Sequence, residues 1–386
     1  MAAAGYAFRR PFHHPEARGG SLPRPRTEHL PDMVIDRDVA VPTSSSATIR
    51  VDVYRPEGGE PAAPLISWSP YGKHITEQLG VVRPASGVAS WSDQGLHSRG
   101  TLEGFRRISS ERKWLHVHGR KKWAEYYRPE NVERQRAFFD HFLLGRDTEL
   151  DKWPPVRVEV RDSYYAGRNY DAGSWPLPQV HHRPLYLNAA TATLDDAAPE
   201  VEQTAGYDGL GSGLRPHRLE FQRIFDRDIM LVGHMKARLY MSAPEAADMD
   251  VFVAVFKRDG NGDVVGFPYY AIFDDGPVAA GWQRASHREL DPARSTPYHP
   301  VLAHRRELPL PDDQPVKLEI EILPSGTRFA AGEALVLVVQ GSDVMRYPKP
   351  ALYARHEESV NRGPHVVHAG GQYDSHLLIP VFGDER

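Results

Sequence analysis

From Val156 onward the sequence is a succession of short runs in which apolar and polar residues alternate, and this period of two restricts the fold more than any other feature. The clearest runs are VRVEVRDS from Val156, RPLYLNAA from Arg183, HMKARLYMSA from His234 and MDVFVAVFKRD from Met249. DVVGFPYY from Asp263, VKLEIEILP from Val316, ALVLVVQGSD from Ala334 and SHLLIPVF from Ser375 continue the series. Asn261 to Asp263, Asn-Gly-Asp, carries the signature of a hairpin turn between two of them. So many strands without a helical period predict a two-sheet β sandwich of the jelly-roll type, in which each strand turns one face to a shared core. No repeat of fixed period is present.

The chain upstream of this region is of a different kind. With 386 residues there is length for two domains. We place a disordered tail at 1–32, an α/β domain at 33–150 and the sandwich at 151–386. The first stretch carries Arg9, Arg10, Arg18, Arg24 and Arg26 among Pro, Gly and His residues, without the apolar segment of a secretory signal. Its adjacent His13 and His14 read as solvated side chains. A net charge of −4 gives no electrostatic footprint for nucleic acid, and no apolar run approaches the ~18 residues of a membrane span. The absence of cysteine excludes disulfides and thiolate metal sites and agrees with a cytoplasmic location. Neither a cofactor nor a metal is expected, and self-association of the chain is the protein partner considered.

Between Met33 and Ser69 three strands are expected, with Ile49, Val51 and Val53 on one side of the second and Arg50, Asp52 and Tyr54 on the other. The third, from Leu65, ends at Pro70, Tyr71, Gly72 and Lys73. The stretch Ser86 to Trp123 then runs in the order strand, acid, helix, strand, histidine: Gly87 to Trp91, Asp93, Arg99 to Arg107, Trp114 to Val117, and His118. That order closes the core of an α/β hydrolase. On its own, Asp93 also suits a helix cap, and His116 and His118, two residues apart on one strand face, suit a metal pair that lacks a third ligand. Pro129 to Leu144 reads as an amphipathic helix started by its proline and stopped by Gly145, with His141 as a packing residue.

Several of these pieces together resemble the cocaine esterase and X-Pro dipeptidyl-peptidase group of serine hydrolases, the CocE/NonD family. They are VIDRDVAVP, SPYGK, SWSDQGLH, HGRKKW, FFDHFLLG, GWQRASHREL, LPSGTRFAAGEALVLVVQGSD and GGQYDSHLLIPV. The resemblance implies an α/β-hydrolase domain followed by a jelly-roll domain, acting on a small ester or X-Pro peptide-like amide. It makes Asp93 the triad acid, His118 the base and Tyr71 an oxyanion donor. It supplies no nucleophile. No serine here has Gly at both flanking positions of a G-x-S-x-G elbow, and the sixteen residues between Lys73 and Ser90 are too few for a strand, elbow and helix, which take about 30. Ser69 and Ser92 lie near the expected site without an elbow. Two readings follow: a shortened serine hydrolase without normal turnover, or a non-catalytic sandwich used for binding or assembly. The missing middle of the sheet would also leave Leu65, Ile66 and Val88 short of neighbours.

Overall fold

The structure, a computed structural model, describes residues 24–31, 33–42, 48–58, 65–66, 81–82, 85–95, 97–210, 217–270, 273–312, 314–345, 356 and 359–383. It divides into two units, Met1–Arg83 and Pro84–Arg386. Ser69, Tyr71 and Lys73 fall outside the described residues.

In the first unit β1 (Arg26–Leu30), β2 (Met33–Pro42) and β3 (Thr48–Pro56) form an antiparallel sheet in that order. Strand β1 falls inside the stretch read as tail, because RTEHL has no apolar alternation to betray it. Its pairing is supported by charge: Arg37 on β2 reaches Glu28 on β1 at 3.2 Å and Asp52 on β3 at 2.9 Å. The expected inner face of β3 is open, with Ile49 and Val53 exposed, while Val34 and Ile35 of β2 are buried. Two short strands, β4 (Leu65–Ile66) and β5 (Val81–Val82), pair antiparallel.

The second unit opens with β6 (Ala85–Ser90), α1 (His97–Arg107), β7 (Lys113–His118), α2 (Lys122–Tyr126) and α3 (Pro129–Leu144). Pro129 stands at the start of α3 and Gly145, at φ 65°, ends it in the left-handed conformation, as the sequence predicts. Then follow β8 (Val156–Ser163), β9 (Ala166–Ala172), β10 (Val180–Asn188), β11 (Thr193–Asp195), β12 (Gln203–Asp208), β13 (Arg218–Ile224), β14 (Ile229–Ser242) and β15 (Asp250–Arg258). The remainder are β16 (Val264–Val265), β17 (Phe267–Tyr269), β18 (Phe273–Gly276), β19 (Ala279–Arg284), β20 (Val316–Phe329), β21 (Ala334–Gln340), β22 (Pro364–Ala369) and β23 (His376–Phe382). Strands far outnumber helices, and the fold is β-rich. No helix among the described residues is long and apolar enough to cross a membrane.

Two antiparallel groups build the sandwich: β10-β23-β14-β20 on one side, and β13-β21-β15-β19 on the other. Their inward residues, among them Leu239, Val253, Ile320, Leu337 and Leu377, make one continuous core. The alternation in β20 shows why. Leu318, Ile320 and Ile322 are fully buried in that core, each such side chain contributing ~1.5–3 kcal/mol, whereas Lys317, Glu319 and Glu321 point away from it. The strands of this region absent from the sequence reading are the polar β9, β12 and β13, the short β11 and β18, the small-residue β19, and β22.

Strands β6, β7 and β8 are parallel to one another, and β8 joins the sandwich through a parallel bridge to β20 at Thr327 and Arg161. A second core, with Trp91, Leu102, Phe105, Leu115, Val117, Val158 and Trp175, fills the space beneath α1. Arg161 ties this layer to the sandwich. Its guanidinium is fully buried and donates to the carbonyls of Gly326 and Val278 at 3.1 Å each, to Ser325 Oγ at 2.6 Å and to Thr327 Oγ1 at 3.1 Å. It also lies 4.3 Å from the Phe267 ring centroid. A Cβ on Gly119 would meet the Arg161 side chain at 2.3 Å. We therefore expect Arg161→Ala to lose about 3–5 kcal/mol of stability, since it strands buried acceptors and opens a cavity. Gly119→Ala should lose about 1–3 kcal/mol through overpacking. Urea unfolding midpoints of the two variants against the parent check both.

Candidate functional site

The parallel strands end together, and the residues that follow them are held by the backbone of the neighbouring strand. Ser90 of β6 stands in register with His118 of β7, and the Trp91 N–H donates to the His118 carbonyl at 2.8 Å. Asp93 and His118 are thereby placed just beyond the carboxyl ends of adjacent parallel strands, where α/β sheets carry their chemistry. Gln94 fastens this edge to the sandwich: its amide accepts from the Ala280 N–H at 2.7 Å and donates to the Val278 carbonyl at 3.3 Å. The Tyr270 N–H donates to the Ser92 carbonyl at 2.7 Å.

Both Asp93 and His118 are buried. Among the described residues, however, no hydrogen bond joins them. The Asp93 carboxylate is paired with Lys122 Nζ at 3.0 Å, and its backbone carbonyl accepts from the N–H and hydroxyl of Ser98 in the first turn of α1. The Asp93 charge also acts on His97, whose pKa is lowered mainly by burial, against the pull of Asp93. His118 faces other groups. Burial pushes its imidazole down to about 3, with His116 and Arg120 acting the same way and Glu125 opposing them.

Glu125, on α2, is a buried acid that the sequence reading did not select. Its carboxyl is held below the ordinary value: burial opposes ionisation, but the Asn131 amide at 3.0 Å and the Arg128 guanidinium at 3.3 Å are among the groups that outweigh it. Arg120 lies 3.5 Å from Glu125 and 3.7 Å from Glu159. Lys122 and Glu125 were discernible only as polar residues of the segment after HGRKKW. Nothing in their spacing says that one meets Asp93 and the other is buried.

The ring orientation of His118 decides what it can do. Its Nδ1 accepts the backbone N–H of Arg120 at 3.2 Å, so the neutral ring carries its proton on Nε2. A triad histidine needs the reverse: Nδ1–H toward the acid and a free lone pair on Nε2 for the serine proton. The nearby serines are engaged otherwise. Ser90 Oγ lies 2.7 Å from Ser92 Oγ and donates to the Arg120 carbonyl at 2.6 Å, while Ser92 Oγ reaches the same carbonyl at 3.3 Å. Neither serine has a positive φ. His116 and His118 rings are 6.1 Å apart, and among the described residues no third ligand joins them as a metal site. A cleft of about 610 Å³ lies elsewhere, lined by Asp162, Arg168, Arg183, Arg227 and Arg328 among others.

Residues 148–378 match the family described as the X-Pro dipeptidyl-peptidase C-terminal non-catalytic domain. The chain is similar to a solved CocE/NonD family hydrolase from Staphylococcus aureus, with 44% identity and a TM-score of 0.75 over 77% of this chain and 54% of that one. An α-amino acid ester hydrolase shares the fold, with a TM-score of 0.53 at 15% identity over 77% of this chain and 55% of that chain. A Mycobacterium bovis protein named as a serine esterase is 27% identical over 241 residues, 54% of this chain and 36% of that protein. The chain thus spans about half the length of the hydrolase structure and about a third of the curated relative.

The burial of His118 and His116 has a consequence for pH. Burial lowers both imidazoles, His118 to about 3 and His116 to about 4, while the unfolded chain titrates near the ordinary 6.5. Between those limits the unfolded state binds the extra protons, so stability is present above about pH 6.5 and falls as the pH drops toward the folded values. The slope is about 1.4 kcal/mol per pH unit for each histidine at most. Urea unfolding at pH 7 and pH 5 should show the loss, and His118→Gln should flatten the slope.

Proposed function

Because the chain belongs to the X-Pro dipeptidyl-peptidase C-terminal domain family and resembles the CocE/NonD hydrolases, we propose that it is a serine-hydrolase derivative that keeps acid and base but performs no normal ester or amide turnover. The observation that carries this reading is the tautomer of His118: with Nδ1 accepting the Arg120 N–H, no lone pair on Nε2 is available to take a serine proton. Two others support it. Asp93 is neutralised by Lys122, and no serine sits on an elbow. Tyr71, the oxyanion donor implied by the resemblance, would have no tetrahedral intermediate to serve without the nucleophile. A small ester or X-Pro peptide-like amide remains the substrate class for a form of this site that is supplied with a serine.

A second role as an assembly module is favoured by one feature. Among the described residues β6 pairs only with β7, and Val88 on β6 is 43% exposed. An open, apolar strand edge invites pairing with a second copy of the chain. Light scattering across a concentration series should then show a dimer that Val88→Lys weakens; a monomer throughout rejects this role.

A fluorophosphonate probe separates the inactive reading from an active hydrolase. We expect no serine to be labelled in the folded protein and p-nitrophenyl ester turnover at the buffer rate. Labelling of Ser90, Ser92 or another serine that disappears in His118→Ala overturns the proposal, since it requires a histidine acting as base.

A further inference from the structure

The face of the sandwich turned toward α1 holds a group of buried polar side chains that the hydrolase reading does not use. His234 on β14, His299 in the 285–315 connection and Glu321 on β20 each direct one ligand-type atom into a common space, all within 4.8 Å of one another. His234 and His299 are 5% and 4% exposed, and their rings are 4.4 Å apart. His299 Nε2 lies 3.3 Å from Glu321 Oε1. Nδ1 of His234 and Oε1 of Glu321 are buried without a hydrogen-bond partner, a costly condition unless something else uses their lone pairs.

The backbone is shaped around this point. The β14–β20 register slips between Gly233 and Met235, and the β14–β23 register slips between Leu231 and Lys236. His234 therefore sits in a bulge, and bulges re-aim side chains at functional positions. Gly233, at φ 133°, supplies the backbone conformation this requires. On the other side, the Thr296 hydroxyl accepts the His299 N–H at 3.0 Å, and backbone bonds between the same two residues close the turn.

We propose that His234, His299 and Glu321 bind a divalent transition-metal ion of the zinc class, with Glu103 as the outer carboxylate that orients His299. Two imidazoles and a carboxylate are a ligand set zinc accepts, leaving a fourth position for water. Donors around a tetrahedral zinc stand about 3.4 Å apart, and the His299–Glu321 pair already has that spacing. A carboxylate also stands near the far nitrogen of His299, which is itself buried without a hydrogen-bond partner. Glu103 Oε1 is 4.0 Å from His299 Nδ1, on the opposite side of the ring from Glu321, in the carboxylate–histidine–metal order. Glu103 is in turn held by Arg106 at 2.9 Å and Arg107 at 3.1 Å, and Glu321 is paired through its other oxygen with Arg99. The ion would clamp α1 to the sandwich.

The test uses the full chain dialysed against a chelator, then titrated calorimetrically with zinc chloride and, separately, with cobalt(II). One equivalent should bind, the cobalt form should show the visible absorption of a four-coordinate site, and zinc should raise the thermal midpoint. His299→Ala and the near-isosteric Glu321→Gln should abolish that equivalent, and Glu103→Gln should weaken it about 10- to 100-fold. His304→Ala, which removes an exposed histidine 3.2 Å from His287, should leave it intact. Absence of an equimolar site overturns the proposal. So does a site that survives Glu321→Gln, or one that His304→Ala removes. If His299→Ala does not fold, Glu321→Gln and the cobalt spectrum carry the decision.

Discussion

A buried guanidinium holds the two layers of the second unit together. Arg161 lies on β8, which pairs with antiparallel β9 along one side and, along the other, with β7 and then with β20 through the bridge at Arg161 itself. Burial pulls its pKa down to about 9, with Glu159 the opposing charge, so it stays protonated at neutral pH and must be satisfied in place. Carbonyls and hydroxyls from β20 and from the turn before β19 take its Nε and Nη2 hydrogens, while Nη1 is buried without a hydrogen-bond partner. Such an arrangement is sensitive to deletion, because the partners lose a charge-assisted donor in a site closed to water when the guanidinium goes. The same side chain also fixes the path of the chain beyond β7. Only a residue without a Cβ can pass it, and Gly119 follows His118 directly, with its N–H donated to Glu159 at 2.8 Å. The position of the candidate base is thus an outcome of how the sandwich is attached.

From that position follows the chemistry. Once Gly119 is held against Arg161, the chain turns so that the Arg120 N–H meets His118 Nδ1 and the Arg120 carbonyl meets the hydroxyls of Ser90 and Ser92. Each of these bonds satisfies a buried polar group, and each occupies an atom that a triad would require. Asp93 is drawn the same way, toward Lys122. The backbone at these strand ends is itself engaged: the Asp93 carbonyl accepts from the first turn of α1, and the Trp91 N–H closes onto β7.

How much of this could be read from residues alone depended on whether a single strand or helix carried the information. The alternation in VKLEIEILP and HMKARLYMSA places the core faces of β20 and β14 correctly, and Pro129 with Gly145 delimits α3. Strands whose burial comes from neighbours escaped. β9 and β13 are polar, and β19 packs through small residues that leave no periodic signal. In VRVEVRDS the charged residues look like a solvated face, yet Glu159 and Arg161 are buried, because the layer that covers them comes from residues 278 and 325–327. For the site, strand order pointed to Asp93 and His118 and to the absence of a serine elbow. It could not reveal that Lys122 and Glu125, from the same helix, would take the places of their partners. Tyr71 falls outside the described residues, and its role stays with the resemblance that suggested it.

The same logic applies to the charged face of β14 and β20. Alternation puts Lys236, Arg238, Glu319 and Glu321 on one side, away from the core, where an exposed sheet would let water satisfy them. Here that face is covered near α1, and the covering is matched by pairing: Glu319 takes Lys236 and also Arg238 at 2.8 Å, and Arg238 reaches Asp374 at 2.7 Å. Each charge in that group has an opposite. One step along β20 the pattern changes. Glu321 meets Arg99 through one oxygen only, and the bulge substitutes His234 for what would otherwise be another paired residue of β14. A neutral imidazole brings a lone pair instead of a charge, and His299 brings a second. Lys236, Arg238, Glu319 and Asp374 thus meet as opposite charges, whereas His234, His299 and Glu321 gather at the bulge with polar atoms that no hydrogen bond uses.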